Sequence, residues 1–120
     1  MTLTEISEKI RDHLTQQKAR SMIGSICGYR GDDGKMCAVG CLIKDEHYKM
    51  TLENLGSRDE KVHNAVEQSL GFPVTQEITK LLGDWQYYHD RTDYEFWASG
   101  SGTLSPAVYH DKLMGKLQSV

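Results

Sequence analysis

The sequence predicts a mainly α domain, or an α+β domain with a minimal sheet: four to five short helices and one small β-hairpin, packed around a Cys/Gly/Ala-rich core segment. Three observations carry that prediction. Apolar residues recur at helical spacing in four stretches. Thr, Ser, Gly and Pro punctuate those stretches where helix starts and stops belong. Residues 22–43 break the helical period, and they contain the turn signal Asp33-Gly34.

The first helix opens on Thr2 and Glu5, which have the spacing of a capping box. Leu3, Ile6, Ile10 and Leu14 then form one apolar stripe with His13 at its edge, and the helix is expected to run to about Ala19. Residues 22–30 and 35–39 flank the Asp-Gly turn and suit a hairpin. A helix beginning near Cys37 competes with the second strand, because Ala38 and Leu42 lead into the charged run Lys44-Asp45-Glu46. The favoured reading is a small hairpin leading into a short helix.

Residues 50–56 read as irregular. Ser57 and Glu60 repeat the capping-box spacing before the stripe Val62, Ala65, Val66 and Leu70. Gly71 is a helix stop and Pro73 confirms it. Thr75 can cap the next helix, whose stripe is Ile78, Leu81, Leu82, Trp85 and Tyr88 or His89. The last helix starts at Ser105-Pro106, where a proline's missing N–H is no loss, and buries Tyr109, Leu113 and Leu117.

Composition narrows the class. The chain has 120 residues, 38% apolar and 26% charged, with a net charge of −3. That suits one globular domain spanning 1–120. The mildly acidic balance provides no electrostatic footprint for nucleic acid. The N-terminal stretch has no positive region followed by an apolar one, so it does not read as an export signal. The apolar run 38–43, with Gly40 inside it, is far short of the roughly 20 residues of a membrane span. Three cysteines without an export signal suit reduced thiols in a cytoplasm.

Several constellations bear chemical weight. Cys27, Cys37, Cys41 and His47 supply four zinc-compatible ligands, but their spacing lacks the short Cys-x2-Cys knuckle, and packing as small apolar side chains is the competing role. No cofactor is therefore expected, with zinc as the alternative. Cys37 could serve as a thiol nucleophile if it stood at a helix N-terminus, with His89 as base and Asp90 as orienter. Against it, apolar surroundings raise a thiol pKa. Adjacent helical residues also point about 100° apart, which argues against Asp90 orienting His89. His89-Asp90-Arg91 equally suits a helix C-terminus, and His13 suits a satisfied core position. Neither Gly31-x-x-Gly34 nor Gly100-Ser101-Gly102 has the form of a phosphate-binding loop.

Six of the ten aromatic residues fall in Trp85–Trp97. They cannot all face inward, because Tyr87 lies about 200° round a helix from Trp85. Tyr87 and Tyr94 are the candidates for a protein-binding or self-association patch, the latter giving a homo-oligomer. The alternative is an ordinary surface tyrosine.

The segment Cys27–Tyr48 contains Tyr29-Arg30, a Gly turn, Cys37-Ala38-Val39-Gly40-Cys41-Leu42-Ile43, an acidic pair and Tyr48. It resembles a pattern in small proteins of tailed bacteriophages and prophages. Those proteins also carry a Leu-Gln-x-x-His-Asp helix followed by a Trp. Gln86-Tyr87-Tyr88-His89-Asp90 and Trp97 are similar to that second motif, with Trp85 in place of the Leu. Lys44 stands where the group often has Pro. The resemblance spans Gln16 to Trp97. It implies phage origin and life in the host-cell cytoplasm, and it implies no reaction.

The function expected is that of a small phage-type accessory protein. It would bind a host or phage protein, for example inhibiting a host nuclease or defence complex, and the charge of −3 would suit a basic partner surface. No direct nucleic-acid or membrane binding is expected. The alternatives are a Cys/His thiol or zinc-dependent enzyme, and a small-molecule-binding protein.

Overall fold

A computed structural model describes residues 2–17, 21–23, 26–31, 34–53, 55–91 and 105–118, with backbone alone described at 26, 27, 91 and 116–118. Among the described residues the fold is mainly α. Its helices are α1 (Leu3–Gln17), α2 (Glu60–Leu70), α3 (Gln76–Arg91) and α4 (Pro106–Gln118). None of them is long and apolar enough to cross a membrane.

Capping chemistry sets most helix starts. Glu5 N–H donates to Thr2 Oγ1 at 3.1 Å and Thr2 N–H to Glu5 Oε1 at 3.0 Å, a complete capping box. Thr75 Oγ1 accepts from Ile78 N–H at 3.2 Å, and Ser105 Oγ from Val108 N–H at 3.3 Å. Such caps contribute about 1 kcal/mol each. The start of α2 differs from the expectation at Ser57. Asp59 is the cap, its carboxylate accepting from Lys61 N–H at 2.9 Å, and the Ser57 carbonyl instead meets His63 Nε2 at 2.9 Å. Asp and Ser are equivalent caps, and the nearer one wins. Gly71 ends α2 with φ +86°.

The hairpin expected from 22–30 and 35–39 is corrected. Strand β1 (Met22–Ile23) pairs antiparallel with β2 (Ile26–Cys27), with Met22 opposite Cys27. The longer pairing survives as a single bridge, Arg30 to Met36, flanked by Gly31 N–H to the Lys35 carbonyl at 2.8 Å. The ladder stops because its next pair is already committed, Tyr29 N–H donating to Glu53 Oε1 and the Cys37 carbonyl accepting from Cys41 N–H, while the outward-facing groups of Met36 go to α1. Met36 N–H donates to Gln17 Oε1 at 2.8 Å, and its carbonyl accepts from Gln17 Nε2 at 2.8 Å. The helix expected from Cys37 is a 3₁₀ turn, Gly40–Leu42, followed by two more at Asp45–His47 and Met50–Leu52.

The core forms where α1 packs on α3 and α4, and where the 40–42 turn sits against α1 and α2. Ile6, Ile10, Leu14, Val62, Val66, Leu82 and Trp85 have no exposure, and neither do Cys37, Ala38 and Val39. The Cys-Ala-Val-Gly segment thus belongs to the core. Gly40 is there by necessity: a Cβ on it would stand 2.1 Å from the Tyr29 carbonyl oxygen. Trp85, Tyr88 and Tyr109 complete the aromatic packing, with Trp85 edge-on to both tyrosines and the tyrosines stacked at 4.5 Å.

Candidate functional site

Three polar clusters bear on function, and two of them are internal. The first clamps residues 35–39 between α1 and α3. His13 Nε2 meets the Met36 carbonyl at 2.8 Å, alongside Gln17. From the other side, Gln86 Oε1 accepts from Val39 N–H at 3.3 Å, and Gln86 Nε2 donates to Asp90 Oδ1 at 2.9 Å. Asp90 Oδ1 also meets His89 Nδ1 at 2.8 Å, and His89 Nε2 accepts from Ser21 N–H at 3.0 Å. The neutral ring protonated on Nδ1 satisfies both bonds. The expectation that Asp90 is poorly placed toward His89 is therefore corrected. Both residues are at the end of α3, and a carboxylate turned along the helix reaches the ring beside it. The two sequence motifs, 27–48 and 85–90, meet here through Gln86 and Val39.

The thiols in this region are turned inward. Cys37 is fully buried and its Sγ accepts from Gly40 N–H at 3.2 Å. Burial is the main cause that pushes its pKa up, so the thiolate is disfavoured. Cys41 donates to the Ala38 carbonyl at 3.1 Å, and burial raises its pKa to about 12. His47 Nε2 lies 3.9 Å from Glu46 Oε1. The Cys27 side chain lies outside the described residues. Among the described residues no three His, Cys, Asp or Glu side chains gather as a metal site.

The second cluster joins α1, α3 and α4. Trp85 Nε1 donates to Ser7 Oγ at 2.9 Å, and the Ser7 hydroxyl reaches His110 Nδ1 at 2.7 Å. All three side chains are buried. Burial lowers the His110 pKa, with Arg11 adding to the effect. Ser7 and His110 are residues that periodicity alone did not single out. The only signal for them is that Ser7 falls on the buried stripe one position after Ile6.

A related set orders the 3₁₀ segment. Glu53 accepts from Tyr29 N–H at 2.9 Å, Arg30 N–H at 3.0 Å and the Tyr48 hydroxyl at 2.7 Å. Arg30 bonds Asp45 at 2.6 Å and the Ile43 carbonyl at 2.7 Å, and its guanidinium lies 4.8 Å from the Tyr48 ring centre.

The third cluster is a surface groove between the 3₁₀ turns and α2, with a volume of about 320 Å³. His47, Lys49 and Thr51 line one wall, and Lys61, Asn64 and Gln68 line the other. Leu52 and Ala65, each 5% exposed, form the apolar floor. Sequence reasoning missed this site. Lys61, Asn64 and Gln68 share one helix face by their spacing, yet such a face reads as solvated.

Of the candidate interaction residues, Tyr87 is 61% exposed on α3. Tyr94 lies outside the described residues, as does Trp97. No family model, curated protein or solved structure matches the chain.

Proposed function

We propose that the chain is a phage-type accessory protein that acts by binding a protein partner, with inhibition of a host nuclease or defence complex as the consequence. The observation that supports this reading is the outer edge of α3 and α4. Tyr87 is 61% exposed and Val108 43% exposed. Each precedes a member of the stacked Tyr88–Tyr109 pair, so both project from anchored backbone. Tyr109 is held further by its hydroxyl, which donates to the Asp84 carbonyl at 2.7 Å. Tyr87 lies close enough to Tyr109 to act on it electrostatically; burial, Asp84 and Tyr87 together raise that hydroxyl to about 12.

A large aromatic side chain on a rigid support loses little entropy when a partner covers it. The net charge of −3 suits a basic partner surface. Binding is favoured over thiol chemistry by where the reactive groups point. Cys37 is sealed in the core, and both ring nitrogens of His89 are hydrogen-bonded within the fold.

Affinity capture from bacterial lysate tests the reading, with the wild-type chain and Tyr87→Ala compared by quantitative mass spectrometry. The expected result is one reproducible partner whose capture falls at least about tenfold with the variant, as for an aromatic anchor. A partner captured equally by both chains, or none that recurs between replicates, overturns it.

A further inference from the structure

We infer that the groove between the 3₁₀ turns and α2 binds a small phosphate monoester of the sugar-phosphate kind. The inference is independent of the protein-binding reading, which rests on the α3–α4 edge. It starts from the polar groups that the fold leaves uncommitted. Among the described residues, the side chains of Lys49, Thr51, Lys61, Asn64 and Gln68 make no hydrogen bond or ion pair with another protein group. None of the lining residues is acidic. Asp59, two residues before Lys61, is occupied in capping α2, and the adjacent Glu60 is not among the lining residues. Elsewhere the surface cations Arg11, Arg30 and Lys80 have carboxylate partners. Two lysines facing one groove without a counter-charge repel each other, and an anion relieves that repulsion.

The donor set selects the anion. Carboxylates are best matched by the planar fork of arginine, and the groove has none. Lysine binds phosphate as a point charge. A phosphate monoester carries close to two negative charges and three strong acceptor oxygens, enough to engage Lys49, Lys61 and the Thr51 hydroxyl together. The rest of the lining describes the ester's body. Asn64 and Gln68 stand one helical turn apart and offer both donors and acceptors, which suits hydroxyl groups. Leu52 and Ala65 supply a small apolar floor, and no Phe, Tyr or Trp is present to stack a base. A volume of about 320 Å³ admits a phosphorylated sugar and little more.

The test is an amide-resolved NMR titration of the full chain with ribose 5-phosphate, ribose and acetate as separate probes. Ribose 5-phosphate is expected to give saturable shifts confined to residues 47–52 and 61–68. Its affinity should fall at least about tenfold in Lys49→Gln/Lys61→Gln, a loss on the scale of one charge-assisted contact or more. That variant should keep the wild-type urea midpoint, since both side chains are free of internal partners. Ribose alone should leave the groove unmoved. Shifts spread over all surface lysines, equal affinity in the double variant, or an acetate response matching that of ribose 5-phosphate each overturns the inference.

Discussion

The interior junction of α1, α3 and α4 and the groove beside α2 are both rich in polar side chains, and they use them in opposite ways. At the junction, Gln17, His13, Gln86, His89, Ser7 and Trp85 each meet a protein partner, mostly backbone or another buried side chain. Their bonds fix the 35–40 segment and dock α4. In the groove, five lining side chains have no such partner among the described residues. Saturated polar groups rigidify a fold, and uncommitted convergent ones are available to a ligand. The residue types alone do not separate these cases, because Gln and His serve in both. What separates them is whether the complementary atom is already inside the chain.

The sharpest way to break the junction is Gly40→Ala. The new methyl would overlap the Tyr29 carbonyl, and both backbones are held, one by the Glu53 carboxylate and the other by the Cys37 turn. A loss of about 3 kcal/mol or more is expected in urea unfolding, a large share of a domain's total stability. A loss under about 1 kcal/mol would mean that the crossing is loose.

Ser7→Ala should cost somewhat less. It leaves the Trp85 N–H and the His110 ring nitrogen buried without their partner, and each such orphan costs about 1–3 kcal/mol. A destabilisation of about 2 kcal/mol is expected from thermal and urea melts. A neutral outcome would show that water enters the α1–α4 seam.

The smallest expected effect is the dependence on pH. His13 and His110 both have pKa values lowered chiefly by burial. In the unfolded chain they take up protons near the ordinary imidazole value, before the folded chain does. Their contribution is therefore complete above that value and is lost as pH falls below it. The urea midpoint should decline from pH 7.5 toward pH 5, about where free imidazole titrates. His110→Gln should flatten the slope, and a midpoint that rises toward acid would reverse the sign of the argument.

Much of the fold was legible. The capping box at Thr2 and Glu5, the Thr75 and Ser105 caps and the Gly71 stop are local chemistry, and local chemistry is what a sequence displays. The stripes were legible too, because burial imposes a period. The hairpin was misjudged because its competitor is remote. Glu53 occupies the Tyr29 N–H from 24 residues further along the chain, and no local propensity reports that. The His89–Asp90 contact was missed for a related reason, since side-chain torsions can bring together neighbours that Cα–Cβ directions set apart. The groove was illegible for a third reason. One wall comes from a regular helix and the other from 3₁₀ turns whose path has no period to read.

The Ser7 hydroxyl has a consequence for the order of events during synthesis. Its two partners lie 78 and 103 residues downstream. Helix α1 leaves the ribosome before either partner, and it must wait with Ile6, Ile10 and Leu14 uncovered until α3 and then α4 emerge. Docking of α1 is coupled to the synthesis of α3 and α4, and a chaperone would meet α1 before those helices do.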